Sequence, residues 1–417
     1  MLRISGHAKV FAGCGLAVIF LAAATAVPAT AAKTYTTLYA FGGADGSEPR
    51  AALVADKSGN LYGTTQNGGD LTLCTQQGCG TVFKIASGGG QSVLHVFEGK
   101  NQGDGALPYD ALILDKDGNL YGTTVGGGGN SSLGTVFKLA PDGTETILHA
   151  FTGSNHGDGS APSAGLIRNG GGNLYGTTIA GGNSGCNSQG CGTVYKVAPD
   201  GTESIVYVFP GGSDGATPGN GALVKDDAGN LYGTTVAGGD LGCGSSGCGV
   251  VYRLTRDGDE TVLHAFSGGS DGANPIGGLT IDAGGNLYGT TEAGGGGCGL
   301  GCGTVFRIAP DGTYSVLHAF AGGSDGANPF AAPLVDRKGN LYGTTDRGGD
   351  GACDCGTVFK LAPDGGFKVL HAFEGGDDGR GSDAPLISVH GTLYGTTYWG
   401  GGSANCTVGC GTVFQLQ

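Results

Sequence analysis

The sequence predicts an all-β fold: a seven-bladed β-propeller of four-stranded blades, closed into a ring by its own N-terminal strand. Three observations predict it. The string Leu-Tyr-Gly-Thr-Thr occurs seven times, with tyrosines at Tyr62, Tyr121, Tyr175, Tyr232, Tyr288, Tyr342 and Tyr394, in steps of 52 to 59 residues. Two companion strings recur with it. A Gly-Thr-Val-Phe-like string ends at Phe83, Phe137, Tyr195, Tyr252, Phe306, Phe359 and Phe414, and a Leu-His-Ala-Phe-like string ends at Phe41, Phe97, Phe151, Phe209, Phe266, Phe320 and Phe373. Finally, the order of the strings is permuted at the two ends of the chain. A period of this length with room for four short strands is that of a propeller blade.

Taken in chain order, residues 1–31 read as a signal peptide. Arg3 and Lys9 form a basic start, an apolar run spans Val10 to Val27, and Ala29-Thr30-Ala31 is a small-x-small cleavage site, so the mature chain is expected to start at Ala32. Cys14 precedes most of the apolar run and is therefore not a lipoprotein cysteine. No later stretch is long and apolar enough to span a membrane. The expected location is outside the cytoplasm: extracellular, at the cell surface or in the periplasm.

Residues 32–417 read as one propeller domain. Within each unit the aromatic of Gly-Thr-Val-Phe precedes the phenylalanine of Leu-His-Ala-Phe by 14 residues in all six uninterrupted cases. A fixed spacing around a turn such as Pro141-Asp142-Gly143-Thr144 is what a hairpin of one register needs. From the tyrosine of Leu-Tyr-Gly-Thr-Thr to the next aromatic, the spacing varies from 16 to 21 residues, which marks a variable loop. In the fifth unit, strand A is expected near Gly278–Asp282, B near Asn286–Thr291, C near Thr304–Ala309 and D near Tyr314–Phe320. Turns such as Asp282-Ala283-Gly284-Gly285-Asn286 join A to B. The chain begins with a lone D strand, Lys33–Phe41, and ends with A, B and C only. The last blade, 384–417 plus 33–41, is complete only if the ends meet. That closure removes the open sheet edges that a linear array would leave.

The strings Gly-Asn-Leu-Tyr-Gly-Thr-Thr, Gly-Thr-Val-Phe-Lys-Leu and Val-Leu-His-Ala-Phe resemble the GloVer tandem-repeat family of exported bacterial proteins, over essentially the whole chain after residue 31. Some members of that family carry a C-terminal surface anchor, which this chain does not show. The resemblance implies no catalytic residues. Asp-x-x-Gly-Asn-Leu-Tyr is also loosely similar to NHL and lyase-type propellers, which bears on fold alone.

Composition narrows the function classes. The formal charge is −14, or −16 without Arg3 and Lys9, so nucleic acid and anionic lipid are poor partners. Of 13 cysteines, all but Cys14 fall into local pairs in the B–C loops: Cys74/Cys79, Cys186/Cys191, Cys243/Cys248, Cys298/Cys302, Cys353/Cys355 and Cys406/Cys410. In an exported chain these read as disulfides that stiffen glycine-rich loops. No recurring histidine accompanies them to make a metal centre. A disulfide across Cys353-Asp354-Cys355 is expected to be strained and easily reduced. The second unit has no pair.

The long B–C and D–A loops share one face, and function is expected there. The D–A loops carry Asp45, Asp104, Asp158, Asp214, Asp271, Asp325 and Asp378. They read as Asx-type turns shaping the step between blades, with a ring of Ca²⁺ ligands as the alternative. His95, His149, His264, His318 and His371 share a position with Tyr39 and Tyr207, so they read as packed rings and not as general bases. His156 reads as a solvated loop residue. Gly211-Gly212-Ser213-Asp214-Gly215 fits a nucleophile motif only formally, because no helix is expected after it.

The departures from the repeat are more informative. After Leu-Tyr-Gly-Thr-Thr, units 2, 3 and 4 carry Val125, Ile179 and Val236, whereas units 5, 6, 7 and 1 carry Glu292, Asp346, Tyr398 and Gln66. The next position adds Arg347, Trp399 and Asn67. In a closed ring these four units are consecutive, so the seven polar and aromatic residues are expected to form one crescent suited to a sugar or peptide. Ordinary surface variation is the plainer alternative. The reading is a monomeric, non-enzymatic binding or surface-interaction module for an extracellular glycan or protein, with no cofactor. The alternatives are a polysaccharide lyase or hydrolase using Glu292 with Asp346, and a purely structural surface repeat.

Overall fold

The computed structural model describes residues 34–417 except 100–102, 154–156, 183–184, 240, 300, 350–352 and 404. The segment expected to be a signal peptide, Cys14 and His156 therefore lie outside the described residues. The described chain forms seven antiparallel blade sheets around one axis, with two further two-stranded pairings in the loops, Gly105–Ala106 with Gly126–Gly127 and Gly159–Ser160 with Ala180–Gly181. Blade 1 consists of strands A (Val54–Ala55), B (Leu61–Thr65), C (Thr81–Ile85) and D (Gln91–Val96), paired in that order. The fifth blade runs Leu279–Ile281, Leu287–Thr291, Thr304–Ile308 and Tyr314–Ala319, each within a residue or two of its expected span. Blade 7 takes A, B and C from Ile387–Val389, Thr392–Thr397 and Thr412–Leu416, and D from Tyr35–Ala40 at the start of the chain. Tyr35 pairs with Leu416 and Ala40 with Thr412, and Thr34 and Gln417 exchange two main-chain hydrogen bonds. The ring is closed as the permuted ends require. The regular structure is all β, with only single helical turns in the described loops.

Each residue of Leu-Tyr-Gly-Thr-Thr has a separate task. The leucine is buried in every blade. In blades 1, 2, 4, 5 and 6 the tyrosine hydroxyl donates to the A–B turn: Tyr62 to Asp56 at 3.1 Å, where Asp56 also accepts from the Asn60 main chain and amide, whereas in blade 3 Tyr175 accepts from the Asn169 amide. The glycine lies opposite the strand C aromatic, as in Gly63 with Phe83, and the outer end of the ring covers it. A Cβ there would sit 2.7 Å from Phe83 Cζ, or 2.4 Å from Phe306 Cζ at Gly289. The first threonine reaches the next blade, as Thr123 Oγ1 does in donating to the Ala164 carbonyl at 3.1 Å. In six blades the second bonds the threonine that opens strand C, Thr65 to Thr81 at 2.8 Å, and in blade 4 Thr235 accepts from the Val250 main chain.

Aromatic rings hold blade to blade. The phenylalanine ending each strand D is fully buried and meets the strand C aromatic of the next blade edge to face. Centroid distances run from 5.0 Å for Phe41–Phe83 to 5.4 Å for Phe373–Phe414. This geometry adds to the area each ring buries. Because Phe41 belongs to the N-terminal strand and contacts blade 1, the same contact that joins ordinary neighbours also joins the chain ends.

Candidate functional site

The D–A loops set the geometry of the axis. The residue before the loop proline is left-handed at Glu48, Leu107, Ala161, Thr217, Asn274 and Asn328, with φ between 54° and 59°. Its N–H donates to the residue before the strand C glycine, as Leu107 donates to Cys79 at 2.8 Å. The proline then packs on that glycine: a Cβ on Gly80 would lie 2.6 Å from Pro108 Cδ. This sharp turn aims the next residue at the axis. In chain order those residues are Arg50, Tyr109, Ser163, Gly219, Ile276, Phe330 and, after Ser382 in the proline's place, Asp383.

Arg50, Tyr109, Ile276, Phe330 and Asp383 line an axial pocket of about 260 Å³ on the long-loop face, joined by Asp110 and by Asp346 and Tyr398 from the B–C loops. Backbone closes its floor. Gly221 N donates to the Ile276 carbonyl at 3.2 Å, and a Cβ on Gly221 would lie 2.2 Å from the Gly277 oxygen.

The pocket is acidic and partly apolar. The Arg50 guanidinium pairs with Asp383, lies 3.2 Å from Glu48, and covers the Tyr398 ring at 4.0 Å. The Tyr398 hydroxyl donates to Asp346. Burial pushes Asp383 up to about 7, with Arg50 pulling against it and Asp346 adding to it. Asp110 accepts from the Ala111 and Gly165 N–H groups, both at 2.6 Å, yet burial lifts it to about 6. Burial, then the Asp346 charge, raises the Tyr398 phenol.

The structure divides the seven crescent residues. Asp346 and Tyr398 face the axial pocket. Trp399 and Asn67 instead line a groove of about 290 Å³ between blades 7 and 1, with Glu48, Asn405 and the exposed Leu71 and Val408. Trp399 packs edge-on to Tyr398 at 4.7 Å and lies under the Arg380 guanidinium at 5.3 Å. Gln66 holds the loop by donating its main-chain N–H to the Glu48 carbonyl at 3.0 Å. Glu292 is raised by burial, opposed by Asn274 and reinforced by Asp346, but does not line the pocket. Arg347 is exposed, 3.6 Å from Asp346.

Arg50, Tyr109, Asp110 and Asp383 were not singled out from the sequence. They precede the A strands, whose own residues are small and apolar. The signal that finds them is position: the first and second residues after the loop proline.

All six cysteine pairs are disulfide-bonded: Cys74–Cys79, Cys186–Cys191, Cys243–Cys248, Cys298–Cys302, Cys353–Cys355 and Cys406–Cys410, with Cα–Cα distances of 5.1 to 5.3 Å. The pairing agrees with the sequence reading of disulfides in the glycine-rich loops. The second member, Cys79, Cys191, Cys248, Cys302, Cys355 or Cys410, is fully buried and belongs to the apolar core between blades. The reason is the D–A turn just described. It holds the carbonyl of this cysteine by a main-chain N–H: Thr217 on Cys191, Asn274 on Cys248, Asn328 on Cys302, Glu48 on Cys410 and Gly381 on Cys355. The cysteine is thereby fixed at the root of strand C, beneath the loop, where its side chain is a small apolar group. Its partner in the loop is exposed or half-buried, as Cys186 and Cys74 are.

Each bridge packs on a glycine of the neighbouring D–A loop, as Cys74 and Cys79 do on Gly99, and Cys186 and Cys191 on Gly211. In blade 2, Leu133 packs on Gly153 in the same way. The bridge is therefore an apolar plug as well as a crosslink, and leucine replaces it there. The histidine and aspartate positions prove to be one element: His95–Asp104, His149–Asp158, His264–Asp271, His318–Asp325 and His371–Asp378 pair at 3.0 to 3.4 Å, and Tyr39 bonds Asp45. Ser213 lies in a single 3₁₀ turn, Gly212–Asp214, followed by a strand.

The family model of the Gloeobacter/Verrucomicrobia repeat matches residues 24–187, 74–300 and 184–414. The chain belongs to this repeat family. Among curated proteins, no sequence matches it. Among solved structures it is similar to a catalytically inactive virginiamycin B lyase from Staphylococcus aureus with quinupristin, at 13% identity and TM-score 0.59, covering 92% of this chain and 99% of the lyase. It is also similar to the extracellular domain of a one component system protein from B. thetaiotaomicron, at 10% identity and TM-score 0.55, covering 91% of this chain and 39% of the other. At these identities the likeness is one of fold. Six disulfides accord with an oxidising compartment, and no described helix is long and apolar enough to cross a membrane.

Proposed function

We propose that this repeat-family propeller is an exported binding module that holds a polyhydroxylated ligand, a glycan chain, on its long-loop face. One observation carries the reading: the axial pocket and the Trp399 groove adjoin, a residue of each touching a residue of the other. Glu48 lines the groove and holds Arg50 in the pocket, and Trp399 follows Tyr398 in sequence and packs on it. The end of a sugar chain enters among carboxylates that accept from its hydroxyls, and its body lies along a half-buried indole beside Asn67 and Asn405. Flat aromatic faces next to fixed polar groups suit this ligand class.

The test is a glycan array, followed by titration of the best hit with wild type, Trp399→Ala and Asp346→Asn. Loss of ~10-fold or more in affinity in each variant, roughly 1.4 kcal/mol, is the expected outcome. Unchanged affinity in both removes the site, and a blank array leaves a protein ligand. A hydrolytic reading has one observation in its favour: Asp383, lifted to about 7, shares a pocket with Asp346, and a raised acid beside a second carboxylate is the pairing that glycoside hydrolysis uses. Turnover of the array hit, lost in Asp383→Asn, would convert the binding module into an enzyme.

A further inference from the structure

Around the outer rim, each His–Asp or Tyr–Asp pair faces the residue that opens strand D of the following blade, and the chemistry of that third residue divides the junctions. At three of them an aromatic ring lies flat on the histidine: Tyr314 on His264 at 3.7 Å, Phe367 on His318 at 3.9 Å and Tyr35 on His371 at 3.9 Å. At the junction of blades 1 and 2 the ring is replaced by Glu145, beside His95 and Asp104. At the junction of blades 2 and 3 it is replaced by Glu203, beside His149 and Asp158. In both, one imidazole nitrogen and two carboxylate oxygens lie within 4.8 Å of one another. Among the described residues no other junction brings these three ligand types together, since Glu260 faces Tyr207 and Asp214.

We propose that these two junctions are divalent transition-metal sites, each binding one Zn²⁺ through His95, Asp104 and Glu145 or through His149, Asp158 and Glu203. Three of the ligand atoms lack a hydrogen-bond partner. Glu145 Oε1, Glu203 Oε1 and His95 Nε2 have almost no accessible surface and no hydrogen bond. Leaving buried polar atoms unmatched is costly. Glu260 Oε1 and His264 Nε2 are also unmatched, but among the described residues only at these two junctions do such atoms belong to an imidazole set with two carboxylates. The aspartates are already oriented by the main chain: Asp104 accepts from Glu98 N at 2.8 Å and Gly105 N at 2.6 Å, and Asp158 from Thr152 N at 2.8 Å and Gly159 N at 2.6 Å. Ligand bonds of ~2.0–2.2 Å at a tetrahedral zinc put neighbouring ligand atoms about 3.4 Å apart. His95–Asp104 at 3.4 Å and His149–Asp158 at 3.2 Å already have that spacing. An imidazole with two carboxylates suits zinc or manganese, whereas calcium takes oxygens only. Each ion would join a strand D and its loop to the strand D of the next blade, a staple between blades where the other junctions stack rings.

The experiment strips the purified protein with EDTA and titrates ZnCl₂ by calorimetry, with bound metal counted by elemental analysis after desalting. Wild type is expected to bind two zinc ions, Glu145→Gln and Glu203→Gln one each, and the double variant none. Glu260→Gln should retain both. Glu145→Phe combined with Glu203→Phe copies the His318–Phe367 junction, so it should fold and lose both ions, separating loss of ligand from loss of fold. A wild type that binds no zinc at micromolar concentration, or whose stoichiometry is unchanged in the glutamate variants, overturns the assignment.

Discussion

Ring closure rests on Phe41, and its truncation measures what closure contributes. Phe41 is fully buried and meets Phe83 of blade 1 edge to face at 5.0 Å and Tyr39 at 5.2 Å. A phenylalanine buries ~200 Å², worth ~5 kcal/mol at ~25 cal/mol per Å², and measured Phe→Ala costs in cores are ~3–5 kcal/mol. Phe41→Ala should therefore cost about 4 kcal/mol, nearly a thousandfold in the unfolding equilibrium. Phe209→Ala removes an equally buried ring whose partner is Tyr252 at 5.1 Å, and should cost a similar amount. What separates the two is where opening begins. The Phe41 strand is held to strand C of blade 7 by hydrogen bonds and packing, with the rest of the ring intervening in the chain, so it can detach without unfolding the other blades. The assay is urea unfolding of the oxidised protein together with amide hydrogen exchange. In Phe41→Ala, exchange should rise first at Tyr35–Ala40 and Thr412–Leu416, and in Phe209→Ala it should not. A cost under ~1 kcal/mol with unchanged exchange at those strands would refute the account of closure.

The packing and the pocket give two further predictions. Gly289→Ala places a Cβ 2.4 Å from Phe306 Cζ and should destabilise by ~1–3 kcal/mol, relieved when Phe306→Leu is added, which a double-mutant cycle would detect. Asp110, lifted by burial to about 6 from 3.8, holds its proton more tightly folded than unfolded. Its contribution is thus fully present below pH ~4 and is lost as pH rises through 6, about 3 kcal/mol in all. Asp110→Asn should flatten that part of the stability–pH curve in thermal melts, and an unaltered slope would contradict the assignment.

How much of this was legible in the sequence varied with the kind of contact. Blade strands were readable to within a residue or two, because each repeat string encodes a local requirement: a glycine under a phenyl ring, a threonine pair, an Asp–Asn–Tyr turn. The disulfide partners were readable because each pair lies within five residues in sequence. That one sulfur of each bridge belongs to the core was not, because the D–A turn that pins Cys191 or Cys302 comes from a later segment of the chain. The candidate site was only half legible. Asp346 and Tyr398 stood out as departures from the repeat, but Arg50, Asp110 and Asp383 lie in the variable D–A loops and meet only across the ring, Arg50 and Asp383 being 333 residues apart in the chain. The histidines and aspartates were each seen as repeating positions, and their pairing was not.

Blade number, strand order within each blade and circular closure are all written in the linear chain, because they follow from periodic local contacts and from the permuted ends. Which departures from the repeat share a pocket is a property of the folded ring. A propeller brings the loops of all its blades to a common axis, so neighbours there are set by angle around the ring and distance from its centre. The same geometry split the crescent, turning Asp346 and Tyr398 inward and Asn67 and Trp399 outward, and it brought Glu145 and Glu203 onto the His–Asp pairs of the preceding blades.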